Sequence, residues 1–394
     1  MKKTIVFFLV ASLFIAWAKS FPVRAIAQNR SWRILTWSTP YGPQAMSYRI
    51  FCGLKAMIEL FNTSGGLDGQ KVEINSREMD DAQPDFSSSL SPMIQQFLPD
   101  LAVGGAANVK ARESSDFFKR IGLSWFGPWT HQGSIYGSPK SDPLPILPSL
   151  EVETEILMEM AAQRLGPGGR VYFISFETSL SELDLNYTAR QAARYGLQFS
   201  SRVLKPDFKQ WSSLSEEATQ NQAVFLWLPP GPAALAFNAL KPKLPENTIW
   251  ITHCLNPPSQ ELYDLTGQKW VGVIFPSVLV DARDRSDAQE AVLKKYGPKG
   301  LSIGYPALLG LEQGRLLLRA LSGLKPGSQN KSILRQAFEN LSTESTLFYA
   351  PSIKSGPMDR KGVFLAITEP NRAWRPLRPE DAPKEFEQIP EPGV

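Results

Sequence analysis

What most limits the fold of this chain is one pattern that runs twice: a short, nearly unbroken apolar strand, an amphipathic helix, then another apolar strand. In the first run, residues 33–37, 71–75, 101–105 and 123–126 read as strands. Helices at residues 86–98 and 109–121 lie between them, and Ile50, Leu54, Met57, Ile58 and Phe61 recur at helical spacing before the break at 62–66. A Pro/Gly/Ser-rich stretch, residues 127–148, precedes the second run. There residues 151–165 and 182–195 read as helices, and 170–176, 200–204, 223–228, 248–252 and 270–275 as strands. Strands apolar on both faces, alternating with helices, predict parallel sheets covered on both sides. Two such runs predict two sheets.

Beyond Phe275 the pattern turns helical at 287–296, 306–321 and 331–341, and a strand pair is expected within 356–368, turning at 358–362. The Pro- and charge-rich residues 376–394 are expected to form a flexible tail. No fixed-period repeat is present.

The first 27 residues have their own logic. Lys2 and Lys3 precede an apolar stretch from Thr4 to Trp17, and Ala25-Ile26-Ala27 offers a small-x-small cut. That order predicts a signal peptide cleaved near Ala27, because the apolar part falls short of the roughly 20 residues a membrane span needs. Four of the 42 Lys and Arg lie there and no acid does, so the remainder balances the 38 Asp and Glu. A balanced chain lacks the basic face that a nucleic-acid partner requires. Cys52 and Cys254 are the only cysteines and are expected to be buried single thiols.

No nucleophile elbow, zinc-protease helix, phosphate-binding loop or Cys-x-x-Cys is present. No cofactor and no metal are expected. His131 and His253, the only histidines, both follow predicted strand ends, where open α/β sheets bind ligands. Either could line a pocket or serve as a base. Gly104-Gly105-Ala106-Ala107-Asn108 runs from a strand into a helix, which suits either a tight turn or backbone N–H groups aimed at an anionic group. Tyr41, Tyr48 and Trp129 cluster at the same rim, and the loop setting of Trp129 between Pro128 and Thr130 sets it apart from the core. Aromatic walls with a few polar groups describe a small-molecule pocket.

One ordered set of residues goes further. Gly42-Pro43-Gln44-Ala45, Gly53-Leu54-Lys55-Ala56, the run from Asn62 through Gly65-Gly66 and Gly69 to Glu73, and Asp80-Asp81-Ala82 together resemble the type I periplasmic binding proteins of the leucine/isoleucine/valine-binding class. The resemblance covers residues 34–376. It implies an α/β protein of two Rossmann-like lobes joined by a three-stranded hinge. Lobe one would combine 28–147 with 276–350, and lobe two 148–275 with 351–375. It implies no catalysis, a small organic ligand in the inter-lobe cleft, an inner-membrane ABC permease as partner, and a periplasmic monomer.

Carried over residue by residue, Asn108 stands where the family has a carboxylate-binding Ser, and Trp129, Thr130 or His131 where it uses a backbone group and a Thr. Ser47 and Tyr48 fall in the first-loop region. Leu180 replaces a Tyr, and the turn His253-Cys254-Leu255-Asn256 lacks the acid that meets an amino acid's ammonium group. Glu151 is the substitute candidate. An ammonium unpaired in a closed cleft is costly. The expected ligand is therefore an amide, carboxylic acid, alcohol or aromatic compound rather than a plain α-amino acid. Two other readings stay open on sequence: a sensor or regulatory protein on this fold, and a periplasmic enzyme using His131 or His253.

Overall fold

The computed structural model describes residues 30–39, 46–79, 85–105, 111–130, 146–177, 181–205, 207–279, 287–301, 304–327, 331–339 and 363–378. The first run forms β1 (Trp32–Ser38), α1 (Met46–Thr63), β2 (Val72–Glu78), α2 (Phe86–Phe97), β3 (Leu101–Val103), α3 (Ala111–Ile121) and β4 (Ser124–Phe126). Its four strands pair in parallel in the order β2-β1-β3-β4. The second run forms α4 (Leu150–Leu165), β5 (Arg170–Phe176), α5 (Ser181–Arg194), β6 (Gln198–Leu204), the short α6 (Ser215–Ala218), β7 (Ala223–Trp227), α7 (Pro230–Leu240), β8 (Ile249–Thr252), α8 (Gln260–Leu265) and β9 (Val273–Ser277). β6, β5, β7, β8 and β9 are mutually parallel neighbours in that order. The continuous apolar runs thus lie where both faces are covered, and all five residues of β7 are buried.

The chain then returns to the first lobe. α9 (Asp287–Tyr296), α10 (Tyr305–Leu321) and α11 (Lys331–Glu339) follow β9, and α10 packs along α1. Two glycines permit that approach: a Cβ added to Gly53 would overlap the Ala307 carbonyl oxygen, and one added to Gly310 the Ile50 carbonyl oxygen. α11 covers the end of the first sheet, where Phe338 stacks on Phe126 at 3.9 Å between ring centres. A last passage returns to the second sheet. β10 (Phe364–Thr368) runs antiparallel to β9, and β11 (Trp374–Pro376) antiparallel to β10. The architecture is two parallel α/β lobes, with the chain passing between them after β4, after β9 and before β10.

At the end of the chain, β10 falls within the expected strand pair. Residues 356–362 lie outside the described residues. The described strand pair reverses through Pro370–Arg372, where Asn371 takes a left-handed φ of 59° and the Glu369 N–H donates to Ala373 O. Asn tolerates that conformation, so a Pro-Asn pair turns the chain without glycine. The expected tail also starts too early. Pro376 ends β11, the Leu377 N–H donates to Leu365 O, and Arg164 donates to the Arg378 carbonyl. The strand expected at 270–275 begins only at Val273, because Gly272 turns there with φ 78°.

Candidate functional site

Both sheets end toward one shared buried region. Cys254, in the turn after β8, belongs to the same apolar cluster as Trp129, Ile146, Leu147, Leu279 and Tyr305 of the first lobe and its passages. The C-terminal edges of the two sheets therefore meet here, which is where open α/β sheets hold ligands.

On the second lobe the wall is the turn His253–Asn256. The Leu255 N–H donates to His253 Nδ1 at 3.2 Å, so that nitrogen carries no proton. His253 Nε2 then carries it and donates to Leu228 O at 3.1 Å. Asn256 Nδ2 reaches the same carbonyl at 2.7 Å and Thr252 Oγ1 at 3.0 Å. Asn256 is 0% exposed, and its Oδ1 has no hydrogen-bond donor. The opposite side of the turn rests on Glu153, also 0% exposed, which accepts the Cys254 N–H at 2.8 Å and the Cys254 thiol at 3.1 Å. Burial first, and then the Glu153 carboxylate, push the Cys254 thiol well up from its ordinary range.

On the first lobe, Trp129 is 3% exposed and packed in the core. Its Nε1 donates to Gln313 Oε1 at 2.8 Å, and Gln313 Nε2 donates to Gly127 O at 2.9 Å. The expectation that a loop setting keeps Trp129 out of the core is thus corrected: α10 supplies a buried amide that satisfies the indole. The Gly104-Gly105 pair has its reason here too. Both take positive φ, 63° and 88°, and an added Cβ would strike the Trp129 ring at Gly104 and the Trp37 ring at Gly105. Thr130 is fully buried beside Trp129.

Ser47 closes the end of β1, where its Oγ accepts the Thr39 N–H and pairs with the Thr39 hydroxyl. Tyr48 is half-buried next to Phe51, and the neighbouring Cys52 and then burial push its phenol up. Arg49, one residue on, is buried, and its charge opposes the upward push that burial gives the Glu261 carboxyl on α8. Tyr41, Ala106, Asn108, His131 and Leu180 lie outside the described residues. Glu151, the substitute acid, is half-buried in the first turn of α4, and it is Glu153 two residues on that contacts the turn.

Glu153, Gln313 and Arg49 are the residues that sequence reasoning passed over. A signal existed for two of them: Glu153 shares a helical stripe with Leu150, Leu157 and Ala161, and Gln313 one with Leu309, Leu316 and Leu317. A polar residue within an apolar stripe needs a buried partner.

Among the described residues, no three His, Cys, Asp or Glu side chains converge as a metal set, and no helix is long and apolar enough to cross a membrane. A surface recess of about 510 Å³, lined by Phe237, Asn238, Lys241, Pro242, Thr266, Gly267 and Lys269, lies at the outer ends of α7 and α8, remote from this wall. Lys241 and Asn238 there bond the Val271 and Leu265 carbonyls.

No protein-family model matches this sequence, and no curated protein does. Solved structures do. A substrate-binding periplasmic protein from Ralstonia solanacearum superposes with TM-score 0.72 at 16% identity, over 88% of this chain and 100% of that one. A fatty acid ABC transporter substrate-binding protein from Thermomonospora curvata gives 0.71 at 15%, over 91% and 96%. The branched-chain amino acid transporter substrate-binding protein of Streptococcus pneumoniae, in complex with isoleucine, gives 0.69 at 13%, over 89% and 100%. Two α/β lobes with a shared buried edge define a two-lobed binding-protein architecture. The chain has the type I periplasmic binding protein fold.

Proposed function

We propose that this chain is an exported, non-catalytic receptor that binds a small organic solute between its lobes and delivers it to an ABC permease. One observation carries the reading: a fully buried amide oxygen, Asn256 Oδ1, stands without a donor on the lobe-two wall. A buried acceptor left unpaired costs about 1–3 kcal/mol, and a ligand N–H or O–H would relieve it. The structural neighbours, substrate-binding proteins of ABC transporters, support the same reading. Enzyme chemistry at His253 is disfavoured because both ring nitrogens are engaged within the protein.

The ligand we infer is not a plain α-amino acid. The lobe-two turn offers a neutral amide oxygen, and the nearby Glu153 carboxylate already accepts two donors from Cys254. An amide, alcohol, carboxylic acid or aromatic compound with a neutral donor suits that wall. We take the lobes as 28–147 with 276–350, and 148–275 with 351–375. The mature chain starts near Gln28 in the periplasm and acts as a monomer.

The test is mass spectrometry of small molecules released from purified protein by denaturation. One unmodified metabolite at near-equal amount supports the receptor. Release of a converted product, or turnover of an added compound, sinks it. N-terminal sequencing of exported protein checks the start at Gln28.

A further inference from the structure

We infer that Glu153 is the positioning residue of the lobe-two wall, fixing the His253–Asn256 turn through the Cys254 amide. The inference deepens the receptor reading and takes from it only that this turn is a wall of the binding site.

β8 ends at Thr252, so the Cys254 N–H has no ladder partner. Glu153 provides one from a different element, reaching it from the first turn of α4. A fully buried carboxylate is an expensive way to fill space, and an apolar residue of its size would suit a mere core position better. The carboxylate is matched instead by two donors of one residue, the amide and the thiol of Cys254.

The turn is thereby held from both sides. Leu228 O, just past β7, takes His253 Nε2 and Asn256 Nδ2, and Glu153 takes the residue between them. The Asn256 N–H closes the turn on His253 O at 3.0 Å. Glu153 anchors the His253–Cys254 peptide through the Cys254 N–H and the side chain through the thiol, so without it Cys254 can shift and carry the adjoining Cys254–Leu255 peptide with it. The Leu255 N–H then leaves His253 Nδ1, and the imidazole loses one of the two bonds that set its tautomer, keeping only Nε2 to Leu228 O. α4 begins directly after the first passage between the lobes, with Ser149 as its N-cap. The wall of the site is therefore tied to the helix that leaves the hinge.

The chain has only two histidines, which makes the test clean. Protein labelled with ¹⁵N-histidine is recorded with and without His131→Gln, which assigns His253. The unsubstituted protein should show His253 as a single neutral tautomer with its proton on Nε2, and slow exchange of the Cys254 amide. In Glu153→Ala the His253 signals should move toward tautomer averaging, and the Cys254 and Leu255 amides should exchange about tenfold faster or more. Ile251 in β8 should keep its rate. Glu153→Gln keeps a carbonyl oxygen for the Cys254 N–H and should restore the wild-type pattern.

An unchanged His253 signature and unchanged exchange in folded Glu153→Ala would overturn the inference. So would Glu153→Gln behaving as Glu153→Ala does. If Glu153→Ala does not fold, the unsubstituted protein still decides: a Cys254 amide exchanging at the unprotected rate is fatal. None of these readouts needs a solute. Absence of any bound metabolite would remove the receptor reading and leave these results standing, and the reverse holds equally.

Discussion

Gln313 and Trp129, 184 positions apart in sequence, satisfy one another inside the first lobe: the indole N–H donates to the side-chain oxygen, and the side-chain NH₂ goes on to Gly127 O. Gln313→Ala removes both partners and leaves a buried N–H and a buried carbonyl unpaired. Each orphan costs about 1–3 kcal/mol, so urea denaturation should show a clear fall in midpoint. Trp129→Ala should cost more, about 3–5 kcal/mol, because it also opens a cavity beneath Gly104. Wild-type stability in Gln313→Ala would mean the pair is not formed.

The α1–α10 contact should be intolerant of a single methyl group. Gly53→Ala and Gly310→Ala each place a carbon onto a backbone oxygen of the other helix, which cannot swing away as a side chain can. Overpacking of this kind costs about 1–3 kcal/mol, and thermal melts should show it for both. Gly231→Ala, where nothing lies within reach of the added carbon, is the control and should leave the melt in place.

Both thiols should resist modification in the folded protein. Burial pushes Cys52 from 9.0 up to about 11, and burial with the Glu153 carboxylate pushes Cys254 well up from its ordinary value too. The folded thiols keep protons that unfolded ones release. Stability should be unaffected by them below about pH 9 and fall as pH rises from 9.0 toward about 11. Thiol titration at pH 8 should find no fast-reacting group before denaturant and two after. A rapidly reacting cysteine in folded protein contradicts the burial of both.

Ligand choice should follow the neutral wall. In a thermal-shift screen, aromatic acids, amides and short alcohols should raise the melting temperature, and leucine, isoleucine and valine should not. For a compound that binds, small-angle scattering should show a smaller radius of gyration at saturation, since contacts to both lobes favour the shut hinge. Submicromolar leucine binding refutes the specificity, and an unchanged radius refutes closure.

The elements most legible in sequence were those whose signal is local. Residues 170–176 and 287–296 match the observed β5 and α9 end to end, because an apolar run between turn residues and a bounded amphipathic stretch each carry their own limits. β10 falls within the strand pair expected at 356–368, whereas β11 went unread because the reversal into it is written in Pro370-Asn371-Arg372 and not in a glycine-containing turn. Trp129 was misread for a different reason: its partner, Gln313, comes from a helix that only the third dimension brings near. The same holds for Glu153, 101 positions from the turn it contacts. Tyr41, Asn108, His131 and Leu180 lie outside the described residues.

The placement of β10 bears on the order in which the chain can finish folding. β9 has one neighbour from the preceding sequence, β8, and its other edge is filled only by residues 364–367. During synthesis, that edge stays open while the whole of α9, α10 and α11 emerges. An unpaired strand edge invites wrong partners. Among the described residues, the first sheet draws its four strands from before residue 127, yet the second sheet is completed only by the last passage. The two halves of the chain are born in one order and sealed by a segment that arrives late, so a chain stalled before residue 364 carries the four described strands of the first sheet beside an unsealed second.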